Sequence, residues 1–205
     1  MDEKYIQEEI WKNCKKINKY ANSKIGIKRS KWFVKYIEDI QFSSVFEVGC
    51  FTGRNLKYIS LAFPDVKIGG LDINKEGIEF ARNLLPKATL YNQSIYDMPN
   101  DKWDVVFTMG ILIHIPPDGI QDVIEKCVDK ANRYIIHIDR QGQNDVLMGR
   151  KEFNPVKTHD KFHWAPDIRS IYNRIGYSAV VKEMPKELSR GGATHIITID
   201  KSAMR

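Results

Sequence analysis

A short apolar run that ends in a glycine-bearing turn and passes straight into a helix constrains this chain most. Val45-Phe46-Glu47-Val48-Gly49-Cys50-Phe51-Thr52-Gly53-Arg54-Asn55-Leu56 reads as a strand, a tight turn and a first helical turn. About twenty residues on, Ile68-Gly69-Gly70-Leu71-Asp72 reads as a second strand that closes in an acid. This is the layout of a strand–helix–strand nucleotide site. Glycine lets the backbone pass close to a ligand, and the acid accepts hydrogen bonds from ribose hydroxyls.

The alternation continues along the chain. The pattern predicts strand Ser44–Val48, helix Arg54–Ala62 stopped by Phe63-Pro64-Asp65, and strand Lys67–Leu71. Asn74 then caps a helix that runs to about Leu85 and is halted by Pro86. Strands follow over Ala88–Tyr91, Trp103–Thr108 and Tyr134–Ile138, with a helix opened by Pro116-Pro117-Asp118 and running through about Lys130. A further helix is expected over Asp167–Ile175, ended by Gly176, then strands over Ala179–Met184 and Ala193–Ile199. Ahead of all this, Asp2 to about Tyr20 reads as one amphipathic helix with Ile6, Ile10, Cys14 and Ile17 on one face. Ala21–Ser30 reads as a connector, and Ser30 as the N-cap of a second helix carrying Trp32, Phe33, Tyr36, Ile37 and Ile40. Strands alternating with helices imply an α/β fold. The expectation is a Rossmann-like, mostly parallel seven-stranded sheet with a C-terminal antiparallel hairpin and helices on both faces. One domain is expected over 1–205, with 1–30 as a helical extension and 140–166 as a loop on the acceptor side.

With 205 residues the chain is long enough for a real core. It has no long apolar run for a membrane span and no signal-peptide pattern, and its three cysteines are scattered, as in a reducing cytoplasm. The net charge is +6, and from Lys12 to Lys35 there is no acid at all. Such a block can attract RNA or another anionic partner, or can be a solvated helix face.

The turn itself discriminates between ligands. A dinucleotide site wants G-x-G-x-x-G so that a pyrophosphate can reach the helix N-terminus. Here the spacing is Glu47-x-Gly49-x-x-x-Gly53, and Phe51 and Thr52 stand where a phosphate cradle would want glycine. That suits a ligand without phosphates and disfavours a nicotinamide cofactor. S-adenosylmethionine, with an adenosine, a sulfonium and an amino-acid tail, fits the pattern, and Glu47 can hold its ammonium or a water beside it. At this point the chain resembles the class I S-adenosylmethionine-dependent methyltransferases, over roughly Trp32 to Ile138.

The resemblance implies cofactor contacts at Glu47, Gly49, Cys50 and Gly53 in the first motif, and at Asp72 with Ile73 on the adenine face. In the third motif, Gln93-Ser94 stands where many members carry Gly-Asp, so Ser94 and Ile95 are the expected adenine contacts. Thr108 and Met109 end the fourth strand, where the methyl group and the acceptor should meet. His114 follows in Ile111-Leu112-Ile113-His114-Ile115. It can take a proton from an acceptor hydroxyl or amine, or be a buried histidine in an apolar run. Phe46–Cys50, Gly53–Leu56, Gln93–Ile95, Val106–Ile115 and Asn132–Ile135 look like the methyltransferases associated with pseudaminic acid biosynthesis. The likeness fades after Asp139. His159 and His163 have a metal-like spacing but no obvious third ligand, so no metal site is expected. Trp164 or Phe162 could face a substrate, and Arg140, with Arg190 less clearly, could meet an anionic acceptor.

The expected activity is methyl transfer to an oxygen or nitrogen of a small, possibly acidic acceptor such as a sugar acid or nucleotide sugar. An RNA methyltransferase using the basic block and a non-catalytic S-adenosylmethionine-binding protein are the alternatives. Nothing in the residues fixes the oligomeric state.

Overall fold

The computed structural model describes residues 3–142, 146–147, 163–189 and 194–203. Its sheet has seven strands in the order β3-β2-β1-β4-β5-β9-β8. They are β1 (Ser44–Val48), β2 (Lys67–Asp72), β3 (Thr89–Asn92), β4 (Trp103–Met109), β5 (Ala131–Asp139), β8 (Val180–Glu183) and β9 (His195–Asp200). The first five run parallel; β9 inserts antiparallel beside β5, and β8 pairs antiparallel with β9. A two-stranded ribbon of β6 (Val146–Leu147) and β7 (Trp164–Ala165) stands apart. This is the Rossmann-like arrangement expected from the alternating pattern, with strand order reversing between β1 and β4, where such sheets open a crevice.

Side chains alternate across the strands and feed two cores. On one face Val45, Phe107, Ile136 and Ile196 pack with Phe33, Leu56, Ile59, Ile78 and Ala81. These come from α3 (Lys24–Tyr36), α4 (Arg54–Ala62) and α5 (Lys75–Leu84). On the other face Phe46, Val48, Val106, Ile135 and Ile197 pack with Val123, Ile124 and Cys127 of α6 (Ile120–Lys130) and Ile171 and Tyr172 of α7 (Ile168–Arg174). Trp103 joins Val106 on that face although three positions separate them. A register shift between Trp103 and Val105 accounts for it. Gly69 makes room for the indole, since a Cβ there would lie 2.4 Å from Trp103 Cη2.

The N-terminal third departs from the sequence reading in two places. The first helix is not continuous: α1 ends at Lys12 and α2 spans Ile17–Ala21. The Asn74 side-chain amide lies within hydrogen-bond reach of the carbonyls of Trp11, Lys12 and Cys14, and a last turn from Cys14 N to Trp11 O closes the helix there. Nor does Ser30 cap the second helix. Ser23 does, accepting from Gly26 N, and the helix runs through Ser30. Gly26, read as part of a connector, sits in the first turn because Arg54 lies against it; a Cβ there would be 2.5 Å from an Arg54 guanidinium nitrogen.

A hydrogen-bonded chain crosses the second core. Thr108 Oγ1 lies 2.9 Å from His137 Nδ1, and His137 Nε2 lies 2.7 Å from the Tyr172 hydroxyl. Burial holds the His137 pKa down at about 3, so the ring is neutral near pH 7. Replacing His137 by Ala should cost about 2–4 kcal/mol, because it opens a cavity and strands two buried hydroxyls. Tyr172→Phe should cost about 1 kcal/mol, the net value of one hydrogen bond. Urea unfolding monitored by far-UV circular dichroism measures both.

Candidate functional site

At the reversal of strand order the carboxyl ends of β1, β2 and β4 open into a cavity of about 380 Å³. Its walls include Glu47, Gly49, Cys50, Phe51, Thr52, Asp72, Ile73, Ile95, Met109 and His114. Sequence-predicted residues from four separate segments therefore meet around one space. Gly53, Ser94 and Thr108 do not line it. Gly53, at φ +69°, caps the start of α4, and a Cβ there would sit tightly, 3.0 Å from Ala81 Cβ. Ser94 donates to Glu8 and accepts from Tyr96 N at 3.1 Å, so it braces the wall from behind while Ile95 faces inward. Thr108 is in the core with His137.

The turn after β1 is built for close approach. Gly49 has φ +79°, and a Cβ there would lie 2.3 Å from Ile111 Cδ1, so both backbone and neighbour require glycine. Phe51 has φ +45°, the one non-glycine residue with positive φ among those described. Asp72 holds this turn. Its Oδ2 accepts from Phe51 N at 3.0 Å and its Oδ1 from Asn74 N at 2.8 Å. Each carboxylate oxygen keeps a further lone pair for a ligand. Burial raises the Asp72 pKa to about 6, against the two amide bonds that lower it.

Glu47 is more deeply set, at 1% exposure. Its Oε1 accepts from Asn55 Nδ2 at 2.5 Å, and Asn55 Oδ1 lies 2.6 Å from the Ser30 hydroxyl, whose one proton also faces Gly26 O at 3.0 Å. Glu47 Oε2 is buried with no hydrogen-bond partner among the described residues. Burial raises its pKa to about 8, the Asn55 bond and the Arg54 charge opposing. Cys50 beside it stays a thiol, since burial raises its pKa well above the ordinary value.

His114 occupies a 3₁₀ turn (Leu112–His114) on the cavity wall, 8% exposed. Its ring centroid is 4.9 Å from that of Trp11, edge-on, and 5.0 Å from that of His163. Asp139 pins this turn, with Oδ2 accepting from Leu112 N at 2.7 Å and Oδ1 from Arg140 N at 3.0 Å. Burial raises the Asp139 pKa to about 6. Arg140 lines the cavity, as its place after the fifth strand suggests. His159, Phe162 and Arg190 lie outside the described residues. Trp164 is buried in β7. Among the described residues no group of His, Cys, Asp or Glu could hold a metal ion, and no helix is long and apolar enough to cross a membrane.

Sequence reasoning missed the N-terminal contribution. Gln7, Glu8, Trp11, Tyr20 and Arg29 all line the cavity. Periodicity assigns Ile10 and Cys14 to a buried face but carries no sign of what that face covers. Asp139 was legible in principle, as an acid closing an apolar strand just as Asp72 does.

A model of a methyltransferase domain family matches residues 45–132. No match is found among the curated proteins. Solved structures share the fold. Magnesium protoporphyrin IX methyltransferase (ChlM) from Synechocystis PCC 6803, with bound S-adenosylhomocysteine, aligns with a TM-score of 0.74 at 16% identity, covering 97% of this chain and 99% of that one. The DhpI complex with S-adenosylhomocysteine aligns at 0.68 and 16% identity, covering 97% and 98%. The N-methyltransferase NodS from Bradyrhizobium japonicum WM9, in complex with S-adenosylhomocysteine, aligns at 0.68 and 10%, with the same coverage.

The raised carboxyls make a pH prediction. Glu47 goes from 4.5 unfolded to about 8 folded, so the folded state holds a proton that the unfolded state has lost between those values. Its contribution to stability is complete below about pH 4.5 and is lost as pH rises through 8. Asp72 and Asp139 act in the same sense between 3.8 and about 6. His137 acts in the opposite sense below 6.5, so the informative quantity is a difference between proteins. Glu47→Gln keeps the acceptor for Asn55 and removes the titration. Between pH 6 and 8 the melting temperature of the parent should fall relative to that of the variant, as differential scanning calorimetry would show. The chain thus has the fold of the class I methyltransferases, and residues 45–132, over which the methyltransferase domain model matches, supply most of the cavity wall.

Proposed function

We propose that the chain is an S-adenosylmethionine-dependent methyltransferase acting on an oxygen or nitrogen of a small acidic acceptor, such as a sugar acid or nucleotide sugar. The observation that carries this reading is the pairing of two buried carboxyls on one cavity wall, Asp72 and half-satisfied Glu47, beside a turn too bulky for phosphates. Asp72 would take the ribose hydroxyls, Glu47 Oε2 the ammonium of the amino-acid tail, and Ile73 and Ile95 the adenine faces. Gly49 would let the tail lie against the backbone. The cofactor supplies an activated methyl group on a sulfonium. The protein then has chiefly to align a nucleophile with it and exclude water.

On the acceptor side, Arg140 supplies a fixed positive charge and a planar fork suited to a carboxylate or phosphate. His114 can receive the proton of an acceptor hydroxyl or amine. The sugar-acid preference rests on the likeness of the Phe46–Ile135 segments to methyltransferases of pseudaminic acid biosynthesis, together with Arg140. The basic N-terminal block, read as an attractor of RNA or another anion or as a solvated helix face, places Arg29 on the cavity wall, and its guanidinium donates to Leu188 O. Incubation with a methyl-radiolabelled donor should label sugar acids or nucleotide sugars and leave bulk RNA unlabelled. Label in RNA alone would overturn the acceptor assignment.

Two sets of variants test the residue roles. Asp72→Ala should weaken S-adenosylhomocysteine binding by about 1.5–3 kcal/mol, the scale for hydrogen bonds to a charged group, and Gly49→Val should abolish it. Calorimetric titration with that ligand and with NAD decides both, with NAD expected not to bind. His114→Ala should lower turnover about a hundredfold and leave cofactor affinity nearly unchanged. An unchanged rate per folded molecule would make His114 a packing residue.

A further inference from the structure

Asn74 does two jobs with one side chain. Its Oδ1 accepts from Gly77 N at 2.7 Å and caps α5, while its Nδ2 reaches Trp11 O at 2.8 Å, Cys14 O at 3.0 Å and Lys12 O at 3.2 Å. The residue is 1% exposed, and its backbone N–H is the one held by Asp72. The end of α1 is thus fastened to the residue two places beyond the expected ribose acid. What it fastens is the outer wall of the cavity. Trp11 packs edge-on to His114 and Phe51, and Tyr20 packs edge-on to Phe51 at 5.3 Å. Trp11 Nε1 is buried with no hydrogen-bond partner among the described residues, a donor left for whatever the cavity holds. Other ties hold the segment too: Arg54 Nη1 donates to Tyr20 O at 2.7 Å, Glu8 meets Ser94, and an exposed Lys15–Glu76 pair is of the kind that contributes little.

We propose that Asn74 is a positioning residue that latches the segment Glu3–Ala21 over the cavity and so sets how fast the cofactor leaves it. On this proposal the wall formed by Gln7, Trp11 and Tyr20 swings away to free the adenosine and tail, and the Asn74 amide, 1% exposed, fastens it at the end of α1 while Arg54 holds Tyr20 O. This rests on the reading of the cavity as the S-adenosylmethionine site.

The test separates the latch from the cap. Asp and Ser both cap helices well, but neither offers the Nδ2 donor. In the full chain, Asn74→Asp and Asn74→Ser should therefore keep α5 intact and release the segment. Dissociation of S-adenosylhomocysteine, followed by stopped-flow tryptophan fluorescence, should be at least tenfold faster in each. Amide hydrogen exchange should rise across Glu3–Ala21 and stay as in the parent across Lys75–Leu84. A dissociation rate within twofold of the parent with Glu3–Ala21 equally protected overturns the proposal. So does exchange that rises across Lys75–Leu84 alone, which would make Asn74 only a cap. If the parent binds no S-adenosylhomocysteine, the cofactor reading fails, and the exchange pattern by itself decides whether the latch exists.

Discussion

The site depends on one buried carboxylate that ties three segments together. Asp72 ends β2, and its two oxygens take the Phe51 amide of the β1 turn and the Asn74 amide ahead of α5. Without an acceptor there, Phe51 would have no reason to hold φ +45°, and the turn that brings Gly49 against Ile111 would relax. Through Asn74 the same anchor reaches the carbonyls that close α1. Burial works against such a carboxyl, and its raised pKa measures that cost; the amide bonds offset part of it.

Glu47 is the contrasting case. One oxygen is held by Asn55, which Ser30 backs, and the other meets no donor among the described residues. A half-satisfied carboxyl at 1% exposure destabilises the empty fold and is the kind of strain that sites store for a ligand. Asp139 repeats the Asp72 device at the end of β5, where it pins the turn carrying His114. Two strand-terminal aspartates therefore position the two sides of one cavity, and a buried glutamate lies between them.

The central α/β alternation was legible because every element there has its own local signature. Asn74 and Gly53 mark helix starts, Phe63-Pro64 and Pro86 mark stops, and the strands are short apolar runs. That Glu47, Gly49, Asp72 and Ile73 stand at or near strand ends was legible for the same reason; the strand order then brings those ends around one cavity. The N-terminal third was misread because its boundaries are set from a distance. Gly26 looks like a breaker until Arg54 is packed against it, and α1 looks continuous until Asn74 meets its last carbonyls. Ser94 and Thr108 sit at the right heights in the chain, but their side chains turn to Glu8 and to His137, a choice made by neighbours more than twenty residues away.

What the sequence determined by itself was thus the order of elements and the acid that closes the second strand, since strand periodicity and turn chemistry are local properties. What only the tertiary structure decided was which face each polar side chain presents and what closes the cavity. Trp11 becomes a wall of the site, and Asn74 its fastening, solely because α1 is laid across the carboxyl ends of β1 and β2. A contact between residues sixty or more apart has no periodicity to announce it; it exists through hydrogen-bond acceptors and apolar surface that are juxtaposed only in the folded chain.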